Sequence, residues 1–174
     1  MLIRRETPGD AAAVRRVHDA AFAKPDGPPG ATVESRLVDE LRECDGWLPA
    51  LSLVALDGDG SVAGHVVCTR GTVAGTPALG LGPLGVLPDH QRRGVGGALM
   101  HAVLGAADAL DEPLVVLLGH RDYYPRFGFR PAVEFGVIPP VAEWGPYFQV
   151  RPLNAYDAEI RGAFDYAAPF RNLT

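Results

Sequence analysis

The sequence predicts a single mixed α/β (α+β) domain, and three observations support this prediction. The 174 residues, 47% of them apolar and 21% charged, match one globular domain with its own core. Apolar residues recur at helical spacing near the N-terminus, at strand spacing from Ser52, and again at helical spacing after Gly94. Neither an internal repeat nor a long linker divides residues 1–174. We therefore expect helices packed on a central sheet.

Two helices are predicted in the N-terminal part, after a short strand at Ile3. The segment Thr7-Pro8-Gly9-Asp10 indicates a helix start. Thr7 can cap the helix, and Asp10, three residues later, is at the position of the acid in a capping box. The predicted apolar face of this helix is Val14, Val17, Ala21 and Phe22. Pro/Gly-rich residues 25–30 end it. The second helix begins near Thr32, with a predicted buried stripe of Val33, Leu37, Val38 and Leu41.

Three strands follow. Residues 53–56 and 62–67 flank the turn Asp57-Gly58-Asp59-Gly60-Ser61, which is a strong hairpin signal. A third strand, about 78–86, is rich in glycine. Glycine inside a strand indicates a bulge or a place where a ligand comes close to the backbone.

A helix from Gly94 to about Leu110 is the next element. Its predicted buried face is Ala98, Leu99, Ala102, Val103, Ala106 and Leu110. Residues 114–118 are short, apolar and β-branched, which is typical of a buried parallel strand. One helical turn at 123–127 and strands near 135–138 and 147–153 complete the prediction.

Composition and charge exclude several classes of protein. The net charge of −5 argues against nucleic-acid binding, which needs a cationic surface. The longest apolar run, 114–118, cannot span a bilayer, and the N-terminus lacks the apolar core of a signal peptide, so we expect a soluble, cytoplasmic protein. Cys44 and Cys68 are expected to be reduced. The histidines and cysteines show no metal-ligand spacing, and no metal site is expected.

The segment from Leu84 to Gly97 carries the densest chemical signal. It combines a strand, a short loop and a helix start rich in glycine and arginine, and a helix N-terminus of this kind binds anions such as a pyrophosphate. A Rossmann site would need a third glycine where Leu99 stands. A phosphate-binding P-loop would need a lysine, which this region lacks.

Two motifs in this order resemble a known family. Gln91-Arg92-Arg93-Gly94-Val95-Gly96 follows a strand that ends in Leu-Gly-Val, and Tyr123-Tyr124-Pro125-Arg126-Phe127-Gly128-Phe129 comes one helix and one strand later. Together they resemble the GCN5-related N-acetyltransferases (GNAT), in particular a subgroup of uncharacterised bacterial members. The resemblance covers residues 1 to about 153, and 154–174 would be a subgroup-specific C-terminal extension. It implies a mostly antiparallel sheet of about six to seven strands with a parallel, splayed pair, flanked by about four helices.

The resemblance also implies which groups bind acetyl-CoA. Main-chain groups of Leu84, Gly85 and Val86 would contact the pantetheine arm, and the Val86 N–H would polarise the thioester carbonyl. The pyrophosphate would be held by main-chain N–H groups of Arg92, Arg93, Gly94, Val95, Gly96 and Gly97. Tyr124 would protonate the departing thiolate. Its neighbour Tyr123 stays open as an alternative.

The general base and the acceptor are less defined by the sequence. Residues 78–83 contain no carboxylate, although many relatives carry one on or near the fourth strand. His120 could receive or relay a proton, or be a hydrogen-bonded loop residue. Glu34 could bind the amine, or be a solvated helix acid. The acetyl acceptor would be a small-molecule or peptide amine. The sequence leaves undecided whether the protein forms a homodimer. The prediction is an acetyl-CoA-dependent N-acetyltransferase, with a non-catalytic acyl-CoA-binding domain as the alternative.

Overall fold

The computed structural model describes residues 1–173 and shows a mixed sheet with helices on both faces. The helices are α1 (Ala11–Ala21), α2 (Val33–Arg42) and α3 (Val95–Ala109). The strands are β1 (Leu2–Arg5), β2 (Ser52–Leu56), β3 (Val62–Val73), β4 (Thr76–Val86), β5 (Leu114–Leu118), β6 (Arg130–Pro131), β7 (Val137–Ile138), β8 (Phe148–Pro152) and β9 (Gly162–Asp165).

The strand order confirms the predicted fold class. The main path is β1-β2-β3-β4-β5-β8-β6, and β9 pairs with β3 and β7. Neighbours are antiparallel except for the pairs β4–β5 and β7–β9. The seven strands of this path match the expected six to seven, and β7 and β9, which lie off the path, bring the number within residues 1–173 to nine. The described chain has three α-helices rather than about four, because Tyr124–Phe127 forms a 3-10 turn.

The start of α1 follows the predicted capping signals. A 3-10 turn, Pro8–Asp10, leads into the helix, and the Thr7 main-chain N–H donates to the Asp10 carboxylate at 2.8 Å. The Arg4 guanidinium donates to both carboxylate oxygens of Asp10, at 2.7 and 3.0 Å. The ion pair and these hydrogen bonds hold the pKa of Asp10 well below its usual range. They tie β1 to the beginning of α1.

Two predicted core residues and one predicted strand are wrong. Val33 is 47% exposed, and Ser35 is buried in its place because its hydroxyl donates to the Asp19 carboxylate of α1 at 2.6 Å. Leu110 is 50% exposed, since it follows the last residue of α3. Residues 135–138 do not form one strand, because Gly136 (φ 66°) separates a 3-10 turn from β7.

The two faces of the sheet carry separate apolar clusters, and adjacent residues of β3 show the alternation. Val66 packs with Leu99 and Val103 of α3 on one face. Val67 packs with Leu37 and Leu41 of α2 on the other. Within residues 1–173, no helix is long and apolar enough to cross a membrane.

Strands β4 and β5 separate beyond a short pairing, and this separation creates the main cleft. They pair only at Leu79 with Val115 and Gly80 with Val116. Further along, β4 has an extra residue relative to β3, between the partners of Val66 and Cys68. Gly82 lies in this bulge with φ 145°, a conformation that favours glycine. The bulge predicted from the glycine-rich strand is therefore present.

Candidate functional site

A cavity of about 670 Å³ lies where β4 and β5 diverge. Residues 81–84 of β4 and 117–118 of β5 form its floor, together with the ring of Tyr124. Phe22 and Glu34, at the end of α1 and the start of α2, line it as well. The remaining wall comes from residues beyond 139, including Trp144, Asp165, Tyr166 and Phe170. The cavity is mostly apolar, with a few polar groups, as small-molecule sites usually are.

A second feature, the N-terminus of α3, lies where β4 ends. Gly94 precedes the helix in the left-handed conformation (φ 82°), and Arg92 is also left-handed (φ 60°). Main-chain N–H groups in the first helical turn have no partners within the helix. The Gln91 side chain donates to the Val86 carbonyl at 3.0 Å and so fixes the loop to the end of β4. With the exposed Arg92 and Arg93, this turn can bind an anion.

The glycines near this turn differ in how much space a side chain would have at each position. A Cβ on Gly96 would lie 3.2 Å from the Tyr123 hydroxyl, and a Cβ on Gly85 would lie 2.8 Å from Nδ1 of His18. These two positions are filled by packing. A Cβ on Gly97 would meet no described atom within 4 Å. The space at Gly97 is therefore open to a ligand, whereas ligand contact by the main chain of Gly85 and Gly96 stays a prediction.

The two tyrosines take different positions. Tyr124 lines the cavity, and its ring packs so closely on Gly119 that a Cβ there would overlap it. Burial, with a smaller effect from Tyr123, raises the pKa of Tyr124 to about 12. Tyr123 is not among the described residues that line the cavity, and its hydroxyl lies beside Gly96. The guanidinium of Arg126 covers its ring at 4.6 Å.

The two groups considered for the amine differ in their relation to the cavity. Glu34 is half-buried and lines the cavity. His120 is exposed and is not among the described lining residues. Its carbonyl oxygen accepts from the Tyr124 N–H at 3.4 Å, so the structure gives His120 a part in the turn that carries the tyrosines.

Sequence reasoning missed Asp165 and the rings of Trp144, Tyr166 and Phe170 as cavity residues. Their spacing shows no pattern, because they come from a 3-10 turn, a short strand and the segment after it. The only signal is the number of aromatic residues after position 143. These residues become one wall only through tertiary contacts.

A buried chain of polar groups, also missed, runs from β1 to α1. The Ser52 hydroxyl donates to the Glu6 carboxylate, and Nε2 of His65 lies 2.9 Å from Oγ of Ser52 and 3.3 Å from Glu6. Because a carboxylate only accepts, Nε2 of His65 carries the proton, and its Nδ1 accepts from Nε2 of His18 at 2.8 Å. Nδ1 of His18 is left without a described partner.

Burial sets the charges of this chain. It lowers the pKa of His18 to about 3, with smaller contributions from His65 and Arg42, and it lowers that of His65 as well. Burial alone would raise the pKa of Glu6, but hydrogen bonds from His65 and Ser52 outweigh it and hold that pKa at about 2. At neutral pH this buried series of polar groups therefore contains one ionised carboxylate, that of Glu6, and two uncharged imidazoles, those of His18 and His65.

Comparison with known proteins gives consistent results. The family model described as the acetyltransferase (GNAT) domain matches residues 2–132. The uncharacterized N-acetyltransferase YjhQ of Escherichia coli (strain K12) is 38% identical over 126 residues, which cover 70% of this chain and 65% of YjhQ. The match thus spans slightly less than two thirds of the length of YjhQ.

Two solved structures resemble nearly the whole chain. One is YhbS, a GNAT family N-acetyltransferase from Escherichia coli in complex with CoA, with a TM-score of 0.84 and 32% identity over 98% of this chain and 91% of that one. The other is a GNAT family acetyltransferase from Brucella melitensis in complex with acetyl-CoA. Its TM-score is 0.78, with 34% identity over 97% of each chain.

Proposed function

Because the chain belongs to the GNAT acetyltransferase family, we propose that it transfers the acetyl group of acetyl-CoA to a primary amine by direct attack on the thioester. One observation carries this proposal: the cleft between β4 and β5 and the anion-binding turn of α3 adjoin along the last residues of β4. A ligand with an elongated arm and a pyrophosphate can occupy both features at once.

The residues present fit coenzyme A. The first turn of α3 offers unpaired N–H groups, the exposed guanidinium groups of Arg92 and Arg93, and open space at Gly97 for phosphate oxygens. Beyond Gly80, β4 has no pairing with β5, so its edge can hydrogen-bond an amide-containing arm. Leu84, Gly85 and Val86 are the residues of this edge nearest the turn. In the complexes from Escherichia coli and Brucella melitensis, relatives of the same fold bind CoA and acetyl-CoA.

Two groups would act on the thioester. The Val86 N–H would donate to the carbonyl oxygen, where negative charge develops during attack. The Tyr124 hydroxyl would protonate the sulfur as the carbon–sulfur bond breaks. The raised pKa of Tyr124 keeps it protonated and ready to donate at every physiological pH. Proton transfer to a thiolate, whose conjugate acid has a pKa of about 8.5, then depends on close positioning in the transition state.

The amine would meet Glu34 rather than His120. Glu34 lines the cavity that Tyr124 and Leu84 also line, whereas His120 is exposed outside that lining. A carboxylate at the cavity attracts the protonated amine, and the amine must lose a proton before it attacks. The reference pKa of histidine made His120 a candidate to receive this proton. Its exposed position and its carbonyl contact with the Tyr124 N–H favour a structural role in the turn at Tyr124.

Thermal unfolding with and without ligand tests the proposal. Acetyl-CoA should raise the Tm by binding only the folded chain, while NADH and ATP should have little effect. Free thiol should then appear from acetyl-CoA when a panel of primary amines is added. Equal stabilisation by NADH would contradict the assignment of an acetyl-CoA site. Stabilisation by acetyl-CoA, without release of coenzyme A thiol in the presence of any amine, would favour the non-catalytic alternative.

A further inference from the structure

We infer that the acceptor is an arylalkylamine, a protonated primary amine joined to an aromatic ring, and that the chain after residue 139 selects it. This inference rests on the acetyl transfer proposed above and names the substrate class of the same cavity. Three observations support it: the aromatic wall, the charges at that wall, and the rigid attachment of the wall to the sheet.

The wall is built from rings that contact each other. The centroids of Tyr166 and Phe170 are 4.6 Å apart, and those of Trp144 and Tyr166 are 6.2 Å apart. Phe22 of α1 lines the same cavity. All four residues are half-buried and line the cavity, so a ligand in the cavity can contact them. The face of such a ring can bind a cation, and the ring can pack against another aromatic ring.

Two carboxylates accompany the rings. Glu34 and Asp165 both line the cavity, and within residues 1–173 neither side chain has a hydrogen-bond or ion-pair partner. Arg171 also lines the cavity and already makes contacts of its own. The charged lining residues are thus two acids and one base. An ammonium group compensates the two carboxylates, whereas an acidic acceptor would be repelled by both.

The wall is held firmly against the splayed strands. Asp165 pairs with Thr72 of β3. The ring of Tyr166 lies on β4, because a Cβ on Gly80 would be 2.7 Å from Cδ1 of Tyr166. Gly80 is the last residue of β4 that pairs with β5. Tyr166 therefore stands where the cleft opens, within the same cavity as Tyr124.

The residues of the aromatic wall beyond residue 139 lie outside the part of the chain that the family model matches, whereas Phe22 and Glu34 lie inside it. That match ends at Ala132, whereas Trp144, Asp165, Tyr166 and Phe170 all follow it. The matched part contains the anion-binding turn and Tyr124. Substitutions in this wall can therefore test the choice of acceptor without changing the turn that we propose binds acetyl-CoA.

Calorimetry without acetyl-CoA tests the inference directly. The ligands are 2-phenylethylamine, 2-phenylethanol, which lacks the charge, and n-butylamine, which lacks the ring. We expect 2-phenylethylamine to bind about tenfold tighter than either, since it uses both the rings and the carboxylates. Binding no tighter than that of n-butylamine, or equal to that of 2-phenylethanol, would overturn the inference.

Single substitutions test whether the cavity residues cause the preference for 2-phenylethylamine. Asp165→Asn and Glu34→Gln should each weaken 2-phenylethylamine binding about threefold to fivefold and leave 2-phenylethanol unchanged. Trp144→Leu should weaken the amine about tenfold and n-butylamine little. Asp59→Asn, in the exposed β2–β3 turn, is the matched control for lost charge. Unaltered amine binding in the Asp165, Glu34 and Trp144 variants would also contradict the inference.

The acetyl-CoA thermal shift, measured on the same samples, separates this inference from the function on which it rests. If acetyl-CoA stabilises the chain and spermidine is acetylated faster than 2-phenylethylamine, the acceptor class is wrong and acetyl transfer stands. If acetyl-CoA does not bind, the proposed acetyl transfer is wrong, and the calorimetry still decides whether the cavity binds arylalkylamines.

Discussion

Nδ1 of His18 lies 2.8 Å from the point where a Cβ on Gly85 would stand. Helix α1 therefore approaches β4 closely at the strand end that we propose binds the pantetheine arm. His18 is fully buried, and its other ring nitrogen bonds His65. Because position 85 has no side chain, His18 of the buried polar groups can pack directly against the edge of the proposed acetyl-CoA site.

A methyl group at Gly85 should disturb this contact. We expect Gly85→Ala to lower the free energy of unfolding by about 1–3 kcal/mol, because His18 is packed on all sides and cannot turn away. Urea unfolding measures the effect. In a His18→Ala background the same change should cost clearly less, since the ring is gone. An equal cost in both backgrounds would mean that the two residues do not compete for space.

Gly97→Ala should separate ligand binding from stability. A Cβ at this position meets no described atom, and alanine favours a helix over glycine, so stability should rise by about 0.5–1 kcal/mol. The Kd for acetyl-CoA should rise about tenfold or more, because the methyl group would occupy the space that we propose for a phosphate oxygen. Gly105→Ala, also in α3 with open space, is the matched control and should leave the Kd unchanged. Equal affinity in both variants would remove Gly97 from the proposed site.

Tyr124→Phe tests the proposed acid. The ring is kept, so unfolding and the Kd for acetyl-CoA should change little, while kcat should fall roughly a hundredfold, about 2.7 kcal/mol of barrier. Tyr123→Phe is the control, since its hydroxyl lies beside Gly96 outside the cavity lining. Single-turnover measurements at saturating amine ensure that chemistry is observed. A larger loss with Tyr123→Phe would exchange the two roles.

Acid should destabilise the chain through its buried histidines. The folded pKa of His18, about 3, lies below the unfolded value of about 6.5, so the unfolded state binds more protons between these pH values. Stability is therefore lost as pH falls through this window, by about 2 kcal/mol for His18 between pH 7 and pH 5. Glu6, with a folded pKa of about 2, adds a loss only below about pH 4.3.

The contribution of His18 can be isolated by substitution. His18→Leu should be less stable at pH 7, because His65 loses its partner, but its stability should fall less between pH 7 and pH 5. Urea midpoints measured at half-unit pH steps give both quantities. His101→Leu, at an exposed position, serves as the control. If His18→Leu and the unaltered chain lose the same stability, another group is responsible for the acid sensitivity.

The sequence predicted elements whose signals are local. The predicted start of α3 at Gly94 is within one residue of the observed one, because a left-handed glycine and the periodic apolar residues after it mark the same boundary. The hairpin of β2 and β3 was predicted for a similar reason, since its turn residues lie between the paired strands. Both GNAT motifs lie on such local elements.

Features that depend on distant pairing were not predictable in this way. His18 and His65 are 47 positions apart, and each alone resembles any other histidine on an apolar face. Strand β9 is only four residues long, and its partner on β3 lies far back in the sequence. Leu110 was assigned to the core by periodicity, although the helix ends before it. Asp165 and Tyr166 acquire their place at the cavity only through this β9 pairing.

The pairing of Asp165 with Thr72 also has a consequence for the order of folding. Closing so long a segment of chain costs more conformational entropy than closing the β2–β3 turn, and contacts of this kind form late. The turn at α3 can thus take shape before the wall with Tyr166 is attached. Tyr166 therefore reaches its place at the cavity only when β9 pairs with β3.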